Sequence, residues 1–266
     1  MKNNFLFLLF IMLAFSCKTD DDRFDYSKEY NFNNVKIIAH RGFWQTPGSA
    51  QNSLKSIQLA IDNNMHGAEI DVRMSSDSIL YLNHDPSISG FNIRTTPSTQ
   101  LDQIRLANGE YLTRFDEVVN LVKLNPNFIF YVEIKESGNS AYDKETVRLV
   151  NKKIEENSLT NQTTILSFNL AILRHTKTYN PLIKTLFILQ NLDNLDYEAV
   201  RNAKVNNLGL RYDILLNNPD IANELVTKGY QLNVWTVNDL NKIIILKDLP
   251  IQSISTDIPD KVMEIY

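Results

Sequence analysis

The sequence predicts an α/β protein folded as a (β/α)8 TIM barrel, a closed ring of eight parallel strands with a helix after each strand. Three observations support this prediction. From Val35 onward, short runs rich in β-branched residues alternate with longer segments of helical period. The run 129–132 is apolar on both faces, as parallel strands are when helices cover them. Eight strands that alternate with helices in about 230 residues fit one barrel domain, with an open doubly wound sheet as the alternative.

The predicted elements follow one another in a regular order. Strands are predicted at 35–39, 68–72, 128–132, 163–167, 183–188, 207–211, 231–235 and 252–255, with a short extended segment at 79–83. Helices are predicted at 52–64, from 113 onward, and at 142–157, 169–179, 195–204, 219–228 and 239–248. After the second strand, residues 85–111 are rich in Ser and Thr and are broken by Gly and Pro, which indicates a short insertion.

Local signals support individual helices. The first helix has an apolar stripe made of Leu54, Ile57, Ala60 and Ile61. The second helix begins after Thr113, whose hydroxyl forms a plausible capping pair with Asp116. In the sixth helix, Asn218 is the expected cap, Pro219 takes the first helical position and Gly229 ends the helix.

Composition excludes two classes of function. The chain has 266 residues, with 27 Lys and Arg against 31 Asp and Glu, for a net charge of −4. Because nucleic acids are bound through clustered positive charge, and no such cluster is present in the sequence, we expect no nucleic-acid partner. Cys17 is the one cysteine, which excludes an internal disulfide and a multi-cysteine zinc site.

The N-terminus has the pattern of a bacterial export signal. An apolar run at 5–15 follows a positively charged start and is too short for a permanent membrane span. The small residues before Cys17 resemble a lipobox, in which the cysteine carries the lipid and becomes the mature N-terminus. We expect a signal peptide at 1–16, a lipidated flexible tether at 17–34 and the barrel at 35–266. The alternative is a plain signal peptide with an incidental cysteine.

An acidic stretch at 18–22 follows the cysteine and resembles signals that carry some lipoproteins to the outer face of the outer membrane. A solvated charged tether is the alternative interpretation. We expect an exported lipoprotein anchored in the outer membrane, on its periplasmic or cell-surface face. The lipid on Cys17 is the expected membrane contact.

Two of the four histidines directly follow predicted extended segments. His40 follows the first strand, and His84 follows the segment 79–83. The carboxyl ends of the strands form the active-site face of a TIM barrel, so both side chains are candidates for function. Either histidine alone is weak evidence, since an isolated histidine is often a hydrogen-bonded structural residue. Their agreement in position favours a catalytic pair.

Three carboxylates are predicted at the same end of the barrel. Glu69 and Asp71 are two positions apart on a strand and therefore point to the same face. Glu133 lies at the end of the third strand, two positions before Lys135. Carboxylate oxygens that converge in this way suit one divalent cation, Mg²⁺ or Ca²⁺. The alternative is a salt-bridge cluster of these acids with Lys135 and Arg73.

Together these residue types indicate chemistry at a phosphate. Arg41 and Lys135, with a cation, would neutralise the charge of a phosphodiester. Paired histidines would supply the general base and the general acid that the reaction needs. This set is complete without a nucleophilic Ser or Cys.

Six short motifs in order resemble the glycerophosphodiester phosphodiesterase family, within the wider group of barrel phosphodiesterases that includes phosphatidylinositol-specific phospholipase C. They lie at 37–42, 67–72, 82–85, 132–135, 234–238 and 254–257. The resemblance implies a metal held by Glu69, Asp71 and Glu133. It also implies hydrolysis of a small-molecule glycerophosphodiester to glycerol 3-phosphate and an alcohol.

The same resemblance assigns the remaining side chains. It implies that His40 and His84 form the acid-base pair and that Arg41 and Lys135 contact the phosphate. It further implies that Trp235 lines the pocket near the alcohol or glycerol part of the substrate.

One position departs from the family pattern. Where members carry Pro-Glu-Asn before the first helix, this chain has Ala50-Gln51-Asn52, so a charge is lost at Gln51. This loss leaves a catalytically silent lipoprotein that binds a phosphorylated ligand as an alternative. A second alternative keeps the barrel and the histidines but acts on intact lipid, as phospholipases do.

Overall fold

The computed structural model describes residues 35–193 and 195–264. The predicted signal peptide at 1–16 and the tether at 17–34 lie outside the described residues. In chain order the strands are β1 (Lys36–Ala39), β2 (Gly67–Met74), β3 (Leu80–Leu82), β4 (Ser87–Ile88), β5 (Phe91–Asn92), β6 (Ile129–Ile134), β7 (Thr163–Ser167), β8 (Lys184–Leu189), β9 (Asn207–Arg211), β10 (Gln231–Trp235) and β11 (Ser253–Thr256).

Ten α-helices are present among the described residues. They are α1 (Leu54–Asp62), α2 (Ser98–Leu101), α3 (Phe115–Lys123), α4 (Ser140–Glu156), α5 (Leu170–Tyr179), α6 (Tyr197–Asn202), α7 (Tyr212–Asn217), α8 (Asp220–Thr227), α9 (Leu240–Leu246) and α10 (Pro259–Met263). Within residues 35–193 and 195–264, no helix is both long and apolar enough to cross a membrane.

Eight parallel strands close into a barrel in the order β1, β2, β6, β7, β8, β9, β10, β11. The ring closes because β1 pairs on one side with β2 and on the other with β11. The (β/α)8 prediction is therefore confirmed, and the open-sheet alternative is wrong.

Alternation along the strands divides the core into two layers. On β2, Ile70 and Val72 point outward and join the main hydrophobic cluster with Ile57 and Ala60 of α1. Glu69, the residue before Ile70, points to the opposite face and lines a cavity in the barrel interior. Because the side-chain period of a strand is two, one short sequence supplies both the packing against helices and the polar interior.

The strands β2 and β6 approach each other closely at Gly67. A Cβ atom on Gly67 would lie 2.3 Å from the backbone oxygen of Ile129, so no side chain fits there. The register that this contact permits pairs Asp71 with Glu133. The local backbone contact therefore sets two candidate ligands side by side.

The insertion predicted at 85–111 is a small folded unit. β3 runs antiparallel to the end of β2, and the hairpin β4–β5, one turn of 3₁₀ helix and α2 follow. It has its own apolar cluster, formed by Tyr81, Ile93, Leu101, Ile104 and Leu112. Asp102 ties it to the barrel by accepting hydrogen bonds from the Tyr81 hydroxyl at 2.7 Å and from Arg114 Nε at 2.9 Å.

Two details differ from the sequence-based expectations. The start of α3 is capped by Glu117, whose Oε2 accepts the backbone N–H of Arg114 at 2.8 Å, so the predicted pair of Thr113 and Asp116 is wrong. The short helices α7, which directly follows β9, and α10 were not predicted. A helix of six residues shows too little periodicity to be separated from the strand before it.

Candidate active site

A tight turn after β1 places His40 and Arg41 at the carboxyl end of the barrel. Arg41 has φ +56° and Gly42 has φ +80°. A Cβ atom on Gly42 would lie 2.2 Å from Oγ of Ser56. The turn therefore packs directly on the start of α1. Its backbone contributes to the site as well, because the N–H of Arg41 donates to Oε2 of Glu69 at 3.0 Å.

Glu69, Asp71 and Glu133 meet at the centre of the barrel mouth. All three are buried, and one oxygen from each lies within 4.8 Å of the others. Oε1 of Glu69 is buried without a hydrogen-bond partner among the described residues. The carboxylate triad that the sequence predicts is thus assembled, with one acceptor atom left unsatisfied. We refer to these three residues as the carboxylate cluster.

Positive and polar groups balance part of this charge. Nζ of Lys135 lies 2.9 Å from Oδ1 of Asp71 and 2.7 Å from Oε1 of Glu133. Asn52 donates Nδ2 to Oδ2 of Asp71 at 2.8 Å and accepts the backbone N–H of Asp71 at 3.0 Å. Burial opposes ionisation of Asp71, but Lys135, Asn52 and Arg41 outweigh it and hold the pKa of that carboxyl below its usual value.

The other two acids are less well compensated. Burial, together with the nearby charges of Asp71 and Glu133, raises the pKa of Glu69 well above its usual value. Burial and Asp71 raise the pKa of Glu133 to about 7. Three neighbouring carboxylates repel one another, so full ionisation of the cluster calls for more positive charge than Lys135 and Arg41 supply.

The salt-bridge alternative describes the cluster only in part. Lys135 does pair with two of the acids, but Arg73 contacts none of them. Instead, Nε and NH2 of Arg73 donate to the backbone oxygen of His84 at 3.0 and 2.6 Å. Arg73 therefore positions the loop that carries the second histidine.

Each of the two candidate histidines pairs one ring nitrogen with an aspartate. Nδ1 of His84 lies 2.8 Å from Oδ1 of Asp85. Burial and the charge of Lys135 lower the pKa of His84, so its neutral form predominates at neutral pH. Nδ1 of His40 lies 2.8 Å from Oδ1 of Asp257. In both rings this leaves Nε2 available to exchange a proton with a ligand.

The partner of His40 was not identified from the sequence as a site residue. Oδ1 of Asp257 also accepts Nε1 of Trp44 at 3.0 Å, and Oδ2 accepts Nδ2 of Asn238 at 2.6 Å. These bonds hold the pKa of Asp257 below its usual value although burial opposes ionisation. Asp257 ends the motif 254–257 of the eighth predicted strand, and its position at that strand end is the signal that could have identified it.

The side chains surround a cavity of about 140 Å³ at the barrel mouth. Seven of the eight predicted site residues line it: His40, Arg41, Glu69, His84, Glu133, Lys135 and Trp235. The eighth, Asp71, is 1% exposed and contacts Lys135. One wall is apolar. The indole of Trp235 donates Nε1 to the backbone oxygen of Gly209 at 2.9 Å and contacts Phe168 edge to face at 5.3 Å.

Sequence comparison assigns this barrel to a family. The family model described as the glycerophosphoryl diester phosphodiesterase family matches residues 40–261. The chain belongs to this family. The match spans all eight predicted site residues, and it confirms the resemblance carried by the strand-end motifs.

Relatives in this phosphodiesterase family align with almost the whole described chain. A glycerophosphodiester phosphodiesterase of Caldanaerobacter subterraneus subsp. tengcongensis is 24% identical over 246 residues, which cover 86% of this chain and 96% of that protein. The crystal structure of a glycerophosphodiester phosphodiesterase from Parabacteroides distasonis is 28% identical, with a TM-score of 0.81, and covers 87% of this chain and 96% of that one.

A further solved structure is a phosphodiesterase from Oleispira antarctica in complex with the product sn-glycerol-3-phosphate. It is 22% identical, with a TM-score of 0.77, and the match covers 87% of this chain and 96% of that one. This likeness supports the barrel fold. Membership of the family identifies the protein as a phosphodiesterase and makes the barrel mouth its candidate active site.

Proposed function

We propose that the protein hydrolyses glycerophosphodiesters to glycerol 3-phosphate and an alcohol, with His40 and His84 as general acid and base. The observation that carries this proposal is the buried carboxylate cluster, which lies with both histidines around one cavity. Family membership and the product held by the Oleispira antarctica relative support the choice of substrate.

The carboxylate cluster fits a divalent cation, Mg²⁺ or Ca²⁺. Its donors are all oxygens, which both ions prefer, and Oε1 of Glu69 is a buried acceptor with no partner among the described residues. Glu69, Asp71 and Glu133 would hold the ion. When bound, it would supply Lewis-acid polarisation of a phosphoryl oxygen and offset the repulsion among the carboxylates.

The two histidines would move the protons. Asp257 holds Nδ1 of His40 and Asp85 holds Nδ1 of His84, so each imidazole presents Nε2. One ring would take the proton from the attacking hydroxyl, and the other would donate a proton to the departing alkoxide. General acid and base assistance of this kind contributes about 10²- to 10⁴-fold in rate for each group.

Arg41 and Lys135 would contact the phosphate. Arg41 donates NH1 to Oε1 of Gln51 at 2.7 Å, and its Nε lies 3.5 Å from Oδ2 of Asp71. This arrangement orients the guanidinium while its NH2 has no partner among residues 35–193 and 195–264. Trp235 would form the apolar wall against the carbon skeleton of the glycerol.

The test is release of glycerol 3-phosphate from several glycerophosphodiesters, measured with and without EDTA. We expect hydrolysis that chelation abolishes and that Mg²⁺ or Ca²⁺ restores. Full activity in chelator would exclude the metal. Tight binding of the diesters without turnover, across all metals tested, would instead select the silent binding protein.

We further propose that the enzyme is exported and anchored in the outer membrane by a lipid on Cys17. The apolar run before this cysteine and the polar stretch after it support the proposal. Mass spectrometry of the mature N-terminal peptide and membrane fractionation test it. A Cys17→Ala variant should leave the membrane fraction, and an unmodified cysteine in the wild-type protein would contradict the anchor.

A further inference from the structure

A second cavity opens at the rim of the barrel, between the insertion and the loop that follows β6. Its volume is about 240 Å³, and it is lined by Arg73, Asn92, Arg94, Lys135, Ser137 and Tyr142 among others. We call it the arginine cavity. Lys135 lines both the arginine cavity and the cavity at the barrel mouth, which we call the central cavity. A diester whose phosphate contacts Lys135 therefore has room to extend one arm into the arginine cavity.

Two cations in this cavity lack an acidic partner. Among residues 35–193 and 195–264, no carboxylate oxygen lies within 4.0 Å of the guanidinium of Arg73 or Arg94. Arg73 uses Nε and NH2 on the backbone oxygen of His84, which leaves NH1 free for a ligand. Arg94 is exposed, and its guanidinium lies over the Tyr142 ring, 6.0 Å from the ring centre.

The remaining charges do not cancel these two. Lys135 pairs with Asp71 and Glu133, and these two acids, with Asp85, also attract Arg73 from outside the cavity lining. Glu136 also lines the arginine cavity, but it is exposed, and its Oε1 accepts Nδ2 of Asn169 at 2.8 Å. Against this single carboxylate stand two guanidinium groups that stay protonated at physiological pH. The residues that line the cavity therefore carry a net positive charge.

The other side of the active site differs in chemistry. Its wall is formed by Leu166, Phe168, Leu186, Ile188 and Trp235. That apolar surface suits the carbon face of glycerol and offers no group that would stabilise a charged substituent. A diester has two alcohol arms, so the two sides of the site discriminate between them.

Resting on the proposed hydrolysis of glycerophosphodiesters, we propose that the arginine cavity binds the alcohol arm that is released. We further propose that the enzyme prefers alcohols carrying a second anionic group, a phosphate or a carboxylate, bound by Arg94 and by NH1 of Arg73. Guanidinium groups match both anions because their N–H donors lie in one plane with fixed spacing.

Three substrates that differ at one group test the preference. They are glycerophosphoglycerol, the same diester with a phosphate on its distal glycerol, and the same diester with that glycerol oxidised to glycerate. We expect kcat/KM to be about fivefold higher for the two anionic diesters, mainly through a lower KM, because the added contact is remote from the reacting bond. The larger of the two gains identifies the anion that fits better, and added salt should reduce both gains.

Arg94→Gln is the informative variant. Arg94 contacts neither the histidines nor the carboxylate cluster, so the variant should still hydrolyse glycerophosphoglycerol while the preference for anionic diesters is lost. Arg94→Lys should retain part of the preference. Arg174→Gln is the matched control, since Arg174 is an exposed arginine on α5 without an ion pair among the described residues. It removes the same charge and should leave all three rates unchanged. Arg73 is unsuitable because it also holds the His84 loop.

The outcomes separate this inference from the proposed function. If glycerophosphoglycerol is hydrolysed but the anionic diesters gain nothing, or if Arg94→Gln keeps their gain, the inference is wrong and the function stands. If no diester is hydrolysed, the function fails, and calorimetric titration of the three diesters decides the inference. Tighter binding of the anionic pair that Arg94→Gln removes would support it, and equal binding would overturn it.

Discussion

The carboxylate of Asp257 lies 2.8 Å from Nδ1 of His40 although the two residues are 217 positions apart in the chain. They meet because β1 and β11 are neighbours at the seam where the barrel closes. The contact fixes which ring nitrogen of His40 faces the cavity. A histidine oriented in this way presents the same nitrogen in every turnover.

Asp257→Asn should therefore lower activity without unfolding the protein. The amide keeps the shape of the side chain but no longer stabilises a protonated imidazole, and we expect kcat to fall about 100-fold with little change in KM. Steady-state kinetics on a glycerophosphodiester measures both constants. Trp44→Phe removes a different hydrogen bond to the same Oδ1 and should cost less. Equal losses for both variants would mean that packing, rather than charge, is the role of Asp257.

Replacing either histidine should abolish most of the catalysis. His84→Ala and His40→Ala each remove a proton-transfer group, and we expect kcat to fall about 10³-fold in each case. His175→Ala on α5 serves as the control, since it lies outside the central cavity. A variant at His40 or His84 that keeps the wild-type rate would remove that residue from the proposed mechanism.

The stability of the metal-free protein should depend on pH near neutrality. A raised pKa means that the folded protein keeps protons that the unfolded chain has already released. Glu133 titrates in the folded state at about 7, against about 4.3 in an unfolded chain. Its stabilising contribution is complete below the unfolded value and is lost as the pH rises to about 7 and above. The raised pKa of Glu69 acts in the same direction.

Differential scanning calorimetry in EDTA from pH 5 to pH 8 measures this loss. We expect Tm to fall by roughly 5 °C over that range, and added Mg²⁺ or Ca²⁺ to restore more stability at pH 8 than at pH 5. Glu133→Gln should flatten the pH dependence. A wild-type Tm that does not change with pH would contradict the uncompensated charge of the cluster.

A substitution at Gln51 tests whether Arg41 binds the substrate phosphate. In Gln51→Glu, a carboxylate would face NH1 of Arg41, where Oε1 of Gln51 now lies 2.7 Å away. An ion pair there competes with the substrate phosphate, so we expect KM to rise about threefold with kcat nearly unchanged. Gln58→Glu on α1 adds the same charge away from the cavity and should leave KM unchanged. An unchanged KM in Gln51→Glu would show that Arg41 does not bind the phosphate.

Gly67 provides a test of the barrel geometry. In Gly67→Ala the new methyl group would collide with the backbone oxygen of Ile129, and we expect a loss of about 2 to 3 kcal/mol in the free energy of unfolding. Chemical denaturation measures the change. Gly48→Ala separates the two effects of replacing a glycine: no atom lies within 4 Å of a Cβ atom there, so only the strain of its φ of +77° remains, and the loss should be smaller, about 1 kcal/mol. A Gly67→Ala protein as stable as the wild type would contradict the close approach of β2 and β6.

Local patterns in the chain were enough to predict the order of strands and helices and to place most candidate site residues at one end of the barrel. Glu69 and Asp71 share a face because strand residues alternate with a period of two. The β-branched residues just before His40 predict a strand, which places this histidine at a strand end. Such relationships extend over a few residues and are set by backbone geometry. For that reason they can be read from a single sequence.

Contacts between residues on different strands and loops depend on the closed barrel and could not be predicted from the sequence. The pairing of Asp257 with His40, the bonds from Arg73 to the His84 backbone oxygen, and the buried oxygen of Glu69 all depend on strands or loops that are remote in the chain. The same holds for Arg94, which the insertion brings into one cavity with Lys135. Periodicity specifies which face a side chain occupies, but only the register and tilt of the assembled strands determine which side chain lies opposite.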